Sequence, residues 1–150
     1  MVHLSKGLSR EKLKKGELMN KLKLNSQITF LYYKDLNEAK DFFENILNLE
    51  IVDDQGDAII YRIAKGALIG IVDEKKGHCK AQDINAVLIT LVTDDVMGWY
   101  KHLLSHGVKM ETSVQKPENF PVECFFFKGP GGYEFEVQSF LIPETSEKFK

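Results

Sequence analysis

The stretch Tyr133-Glu134-Phe135-Glu136-Val137-Gln138 alternates apolar and polar side chains. In an extended chain successive side chains point to opposite faces, so Glu134, Glu136 and Gln138 share one face. A carboxylate held among apolar neighbours can serve as a general acid or base. It can also pair with a cationic ligand that stacks on rings. The other reactive groups are scattered. His78 and Cys79 adjoin in a charged, glycine-containing stretch, where an ordinary solvated loop is favoured over a two-residue metal hook. His102 and His106 are four apart, a spacing that lets two imidazoles on one helix face share a metal. No acid lies between them, and packing is the favoured role. His3 falls in a basic N-terminal segment. No Ser/His/Asp constellation stands out. Gly129, Gly131 and Gly132 precede a strand, not a helix, so they lack the dipole that phosphate-binding loops use.

The elements that must position these groups repeat. Leu31-Tyr32-Tyr33-Lys34-Asp35-Leu36 leads into a helix carrying Ala39, Phe43 and Leu47, and Leu91-Val92-Thr93-Asp94-Asp95-Val96 leads into one carrying Trp99, Leu103 and Gly107. A strand that runs into Asp and then a helix, written twice, implies two copies of one small unit. Such units bury their apolar faces against each other, and a pocket between copies is the natural place for a site. The first copy is expected to span about 27–72: a strand at 27–33, a helix capped by Asp35 and running to about Asn48, then strands at 50–54, 58–63 and 67–72, with a hairpin turn at Gln55-Gly56-Asp57. Residues 73–84 read as a linker. The second copy, about 86–140, is expected to hold a strand to Thr93, a helix at about 95–106 closed by Gly107, and strands at 109–114, 122–127 and 133–140. The segment from Pro143 to Lys150 reads as a polar tail that frays.

Composition sets the broad class. The 150 residues are 43% hydrophobic and 28% charged, as in an ordinary globular domain. No apolar run approaches the ~20 residues needed to cross a bilayer. The N-terminus lacks an apolar signal core, and Cys79 and Cys124 read as free thiols. A cytoplasmic protein without membrane or nucleic-acid partners is therefore expected. Residues 1–24 hold seven basic and two acidic residues, against thirteen and twenty in 25–150. This basic segment has no aromatic residue to stack on a base. Met19 reads as a second start, and Lys15-Gly16-Glu17 is what a purine-rich bacterial ribosome-binding site would encode. Residues 1–18 are accordingly expected to be an upstream extension, ahead of a single domain at 25–142.

Gly129-Pro130-Gly131-Gly132-Tyr133-Glu134-Phe135-Glu136 and the two strand–Asp–helix openings resemble the vicinal oxygen chelate superfamily of glyoxalases, bleomycin-resistance proteins and dioxygenases. The resemblance covers about 27–140. It implies an α+β fold of two βαβββ modules forming a half-open mixed-sheet barrel, paired in a homodimer. It also implies four metal-ligand positions on inward-facing strands. Those positions hold Ile28, Gly70, Leu88 and Glu136, and only Glu136 carries a donor side chain. A divalent centre needs several fixed ligands, so no cofactor is expected.

Strand alternation then suggests the lining of the hollow. Phe30 and Tyr32, Tyr61, Thr90, Glu123 with Phe125 and Phe127, and Glu134 are the candidate ligand-binding residues, with Glu136 as the candidate catalytic group. Phenylalanines at strand spacing are more often core than ligand platform. The leading reading is a protein of bleomycin-resistance style that holds a small, partly aromatic molecule without the usual metal. A lyase, isomerase or dioxygenase is the second reading. It would work through Glu136 or a divalent metal, with Tyr32, Tyr61 or Tyr133 as hydrogen-bond partner. The third is a structural or regulatory dimer whose hollow is filled by its own side chains.

Overall fold

A computed structural model of the chain describes residues 22–150. Most of the basic segment, including the proposed upstream extension, lies outside the described residues.

Both modules follow one plan. In the first, β1 (Ile28–Tyr33) pairs in parallel with β4 (Ala67–Asp73), followed by β3 (Ala58–Ala64) and β2 (Glu50–Asp54) in antiparallel order. In the second, β5 (Leu88–Val92) pairs in parallel with β7 (Glu134–Phe140), and β6 (Val122–Lys128) is antiparallel to β7. Phe30 faces Gly70 across one parallel pair, and Thr90 faces Glu136 across the other. With Phe30 and Thr90 sixty residues apart in the repeat, Gly70 and Glu136 occupy equivalent places. The result is the expected α+β architecture of two half-open mixed sheets.

The second sheet has three strands because its expected strand at 109–114 does not form as a ladder. Met110 and Gln115 make isolated bridges to Phe127 and Cys124 instead. Between them the Thr112 hydroxyl accepts the Phe126 N–H at 3.0 Å, and Glu111 N–H donates to Phe126 O at 2.9 Å. The side chain thus competes with the backbone for the ladder and breaks it.

Asp35 caps the first helix as expected, accepting from Glu38 N, and Asp95, at the equivalent place in the repeat, caps the second, accepting from Gly98 N. The second helix, α2 (Val96–Ser105), is regular and closes on Gly107 at φ 75°. The first is not the uniform helix expected. α1 (Leu36–Asp41) widens into a π-helical turn, Phe42–Ile46, in which Leu47 N–H donates to Phe42 O at 2.9 Å. Consecutive Phe42 and Phe43 are both buried there. The Phe43 ring stacks on Tyr61 at 5.4 Å, while the Phe42 ring meets Phe127 and Phe135 of the other module.

That contact decides how the modules meet. Odd-numbered residues of both sheets (Leu31, Tyr33, Ile59, Tyr61, Ile69, Ile71, Phe125, Phe127, Phe135, Val137) join Phe42, Phe43 and Leu103 in one core. His102 Nε2–H donates to Ile46 O at 2.7 Å across the junction. The Tyr133 hydroxyl donates to Tyr32 O and accepts from Tyr32 N, both at 2.9 Å. The copies therefore join through their helix-covered faces. Clefts remain between the copies, lined by Leu47, Asn48 and Trp99 among others, but Glu136 does not line them.

The tail is also ordered. Pro143–Ser146 forms one helical turn, α3, and the Phe149 ring stacks on Phe140 at 4.6 Å.

Candidate functional site

The even-numbered faces of the two sheets have different fates. In the first module the space over Gly70 is taken by the Phe30 ring, so that a Cβ at Gly70 would collide with it. The linker backbone at Gly77 folds over Tyr32 and Val72 with equally little room. In the second module the equivalent face is open. A cavity of about 580 Å³ lies over it, within the size range of small-molecule sites. Its floor is Glu136, Cys124 and Phe126, and its walls include Phe120, Pro121 and Phe140.

Each floor residue is placed by sheet register. Phe126 lies directly opposite Glu136, Cys124 opposite Gln138, and Thr90 beside Glu136 on the parallel side. The Thr90 hydroxyl donates to Glu136 Oε1 at 3.0 Å. Glu136 is the one buried charged residue among those described, at 9% exposure. Burial pushes the Cys124 thiol above its ordinary pKa; the Glu136 charge adds to this and a hydrogen bond with Gln115 opposes it. Cys124 is thus held as a neutral thiol. The loop carrying Pro117, Phe120 and Pro121 forms one wall and is tied down where Leu141 N–H donates to Pro121 O.

Several residues expected in the hollow lie elsewhere. Phe125 and Phe127 are fully buried on the opposite face of β6, against Tyr100, Phe42 and Phe135. Their neighbour Glu123 pairs with Lys116 at 3.7 Å. Alternation along β6 was read correctly. Its phase relative to β7 was not, because that phase depends on how the glycine-rich turn at 129–133 joins the strands. Phe126 and Cys124 therefore take the places expected for Phe125, Phe127 and Glu123. Tyr61 belongs to the core as well: its hydroxyl donates to Glu44 Oε1 at 2.9 Å, and burial raises its pKa. Tyr133 spends its hydroxyl on the Tyr32 backbone. Phe30 and Tyr32 lie on the first module's even-numbered face, where Phe30 stays 40% exposed, and do not share a cavity with Glu136. Glu134 is on the Glu136 face but beyond the cavity lining, pairing with Lys128 at 3.7 Å. There, partial desolvation and a hydrogen bond with Glu134 raise the pKa of Glu111, with Lys128 opposing. Thr90 and Glu136 remain together, with Gln138 on the same face as strand alternation implied, and are joined by Cys124, Phe126 and Phe120, which the sequence reading did not select.

The histidines take packing roles. The His102 and His106 rings lie 4.4 Å apart, and His106 Nδ1–H donates to His102 O at 2.9 Å. His78 and Cys79 are exposed. Beside Glu136, the positions of Ile28, Gly70 and Leu88 offer no donor side chain, and among the described residues no three His, Cys, Asp or Glu converge. This donor set does not fit a divalent metal centre.

Relatives share this architecture. The model of the glyoxalase/bleomycin resistance protein/dioxygenase superfamily matches residues 26–137. The chain belongs to that superfamily. Among solved structures it is similar to a glyoxalase/bleomycin resistance protein/dioxygenase from Nocardioides, with a TM-score of 0.70 and 14% identity over 90% of this chain and 95% of that one. A genomically encoded fosfomycin resistance protein from Listeria monocytogenes matches with a TM-score of 0.62 and 18% identity, over 79% and 94% of the two chains. Lactoylglutathione lyase from Agrobacterium tumefaciens gives 0.62 and 18%, over 79% and 96%. At these identities the likeness shows the fold alone. No curated protein sequence matches this chain.

Proposed function

We propose that this protein binds a small, partly aromatic molecule in the cavity of its second module, without the metal used by many of its relatives. The observation that carries this is the apolar hollow of about 580 Å³ built around Glu136. Phe120, Phe126 and Phe140 supply aromatic surface, while Glu136, Gln138 and Gln115 supply orienting polar groups. An open hollow argues against a purely structural role. In the first module the Phe30 ring lies over Gly70, whereas a cavity remains over Glu136 in the second.

A thermal-shift screen with aromatic compounds tests the reading, since a ligand of the native state at 100 times its Kd stabilises by about 2.7 kcal/mol. At least one compound is expected to raise the melting temperature and to slow alkylation of Cys124, while exposed Cys79 reacts unchanged. Leu88→Trp, at the half-exposed rim, should abolish both effects with little change in the melting temperature of the free protein. A hit that survives Leu88→Trp and leaves Cys124 labelling unaltered would place binding elsewhere.

A second reading keeps Glu136 as a general acid or base, supported by its position at the floor of a cavity within reach of a bound molecule. It predicts turnover that Glu136→Gln abolishes even at saturating ligand.

The protein is further proposed to act as a homodimer in a bacterial cytoplasm. No described helix is long and apolar enough to cross a membrane. The even-numbered faces expose Phe30 and Val92, away from the cavity lining, a surface suited to a second copy. Light scattering should give twice the chain mass, and Phe30→Asp with Val92→Asp should give the single-chain mass. A wild-type monomer at cellular concentration would refute pairing.

A further inference from the structure

The floor of the cavity holds a carboxyl group without a basic partner. Glu136 Oε1 accepts from Thr90 at 3.0 Å. Among the described residues, no Lys, Arg or His nitrogen lies within 4.0 Å of the Glu136 carboxylate. The basic residues nearest in sequence on β6 and its flank are already engaged: Lys128 pairs with Glu134 and Lys116 with Glu123. No basic side chain lines the cavity, and Glu136 is its only charged one.

A carboxylate in apolar surroundings is unfavourable until a counter-charge arrives. A neutral ligand would bury it further without compensation, and an anionic one would be repelled. A protonated amine supplies the missing charge. Phe126, opposite Glu136 in the strand pairing, adds a ring on the same face. We infer that the ligand of this cavity is an organic cation: a protonated amine whose ammonium pairs with Glu136 while its apolar body lies against Phe126, Phe120 and Phe140. This rests on the cavity being the ligand site and adds the chemical class that it takes.

Calorimetric titration of the full chain near neutral pH with phenylbutylamine, phenylbutanol and phenylbutyrate tests the charge preference directly. The amine is expected to bind about tenfold more tightly than the alcohol or better, and the carboxylate most weakly. Glu136→Gln should bring the amine down to the affinity of the alcohol and leave the alcohol unchanged. Thr90→Val, which removes the hydroxyl but keeps the charge, should preserve the amine preference. Wild-type protein that binds the alcohol as tightly as the amine, with Leu88→Trp blocking both, would overturn the cation assignment and leave the cavity as a binding site. Absence of binding by all three would overturn the cation assignment and count against the site itself. The comparison among ligands uses wild-type protein, so it does not depend on whether Glu136→Gln folds.

Discussion

Two tyrosines separate a hydroxyl that holds the fold from one that burdens it. Tyr133 gives both sides of its hydroxyl to the Tyr32 backbone. Tyr33, also buried, has an oxygen with no hydrogen-bond partner. An unmade buried bond costs about 1–3 kcal/mol, while a made one contributes about 0.5–1.5. Tyr133→Phe should therefore destabilise by roughly 1 kcal/mol or more, since it also leaves the Tyr32 N–H unpaired. Tyr33→Phe should be neutral or stabilising, and urea denaturation of the two variants decides. Burial, with smaller contributions from Tyr133 and Glu38, raises the Tyr33 pKa strongly. The unfolded hydroxyl ionises near pH 10. Above that pH the unfolded chain loses a proton that the folded one keeps, so stability falls by about 1.4 kcal/mol per pH unit until the folded hydroxyl also ionises. Tyr33→Phe should flatten that alkaline decline.

At the scale of elements, helix ends and strand pairing were legible where the signal is local. Asp35, Asp95 and Gly107 mark their boundaries because caps act within one turn of the chain. Asp95→Ala should cost about 1 kcal/mol for this reason, measurable by thermal denaturation. The π-helical turn at Phe42–Ile46 was not legible, because its cause lies elsewhere: Tyr61 on one side, with Phe127 and Phe135 on the other, attracts two adjacent rings. Phe43→Ala removes the ring shared by that turn and β3 and should cost about 3–5 kcal/mol. The missing ladder at 109–114 has a similar explanation. Thr112 looks like a good strand residue in sequence, yet its hydroxyl takes the Phe126 N–H.

The whole molecule behaves as one unit because its modules share one core. Odd-faced residues of both sheets pack on the same helical layer, and Phe42 touches the sheet of the other module. A single unfolding transition with equal calorimetric and van't Hoff enthalpies is expected. Two resolved transitions would mean that the interface is weaker than its aromatic packing implies. The same joint turns the even-numbered faces away from the core, so the cavity over Glu136 is lined by the second module and the segments that follow it.

Duplication, the order of the elements that form, the Asp35 cap and the motif that carries Glu136 could all be read from the chain itself. They depend on periodicity, on short-range hydrogen bonding and on a motif of eight consecutive residues. Which ring stands beside Glu136 could not be read that way. The turn from β6 to β7 sets the relative phase of the two strands, and a change of one residue exchanges Phe125 and Phe127 for Cys124 and Phe126. Whether the two hollows faced each other was likewise decided by packing between residues far apart in sequence. Phe42, Phe127 and Phe135 drew the helix-covered faces together, and the half-barrel around Glu136 was left open.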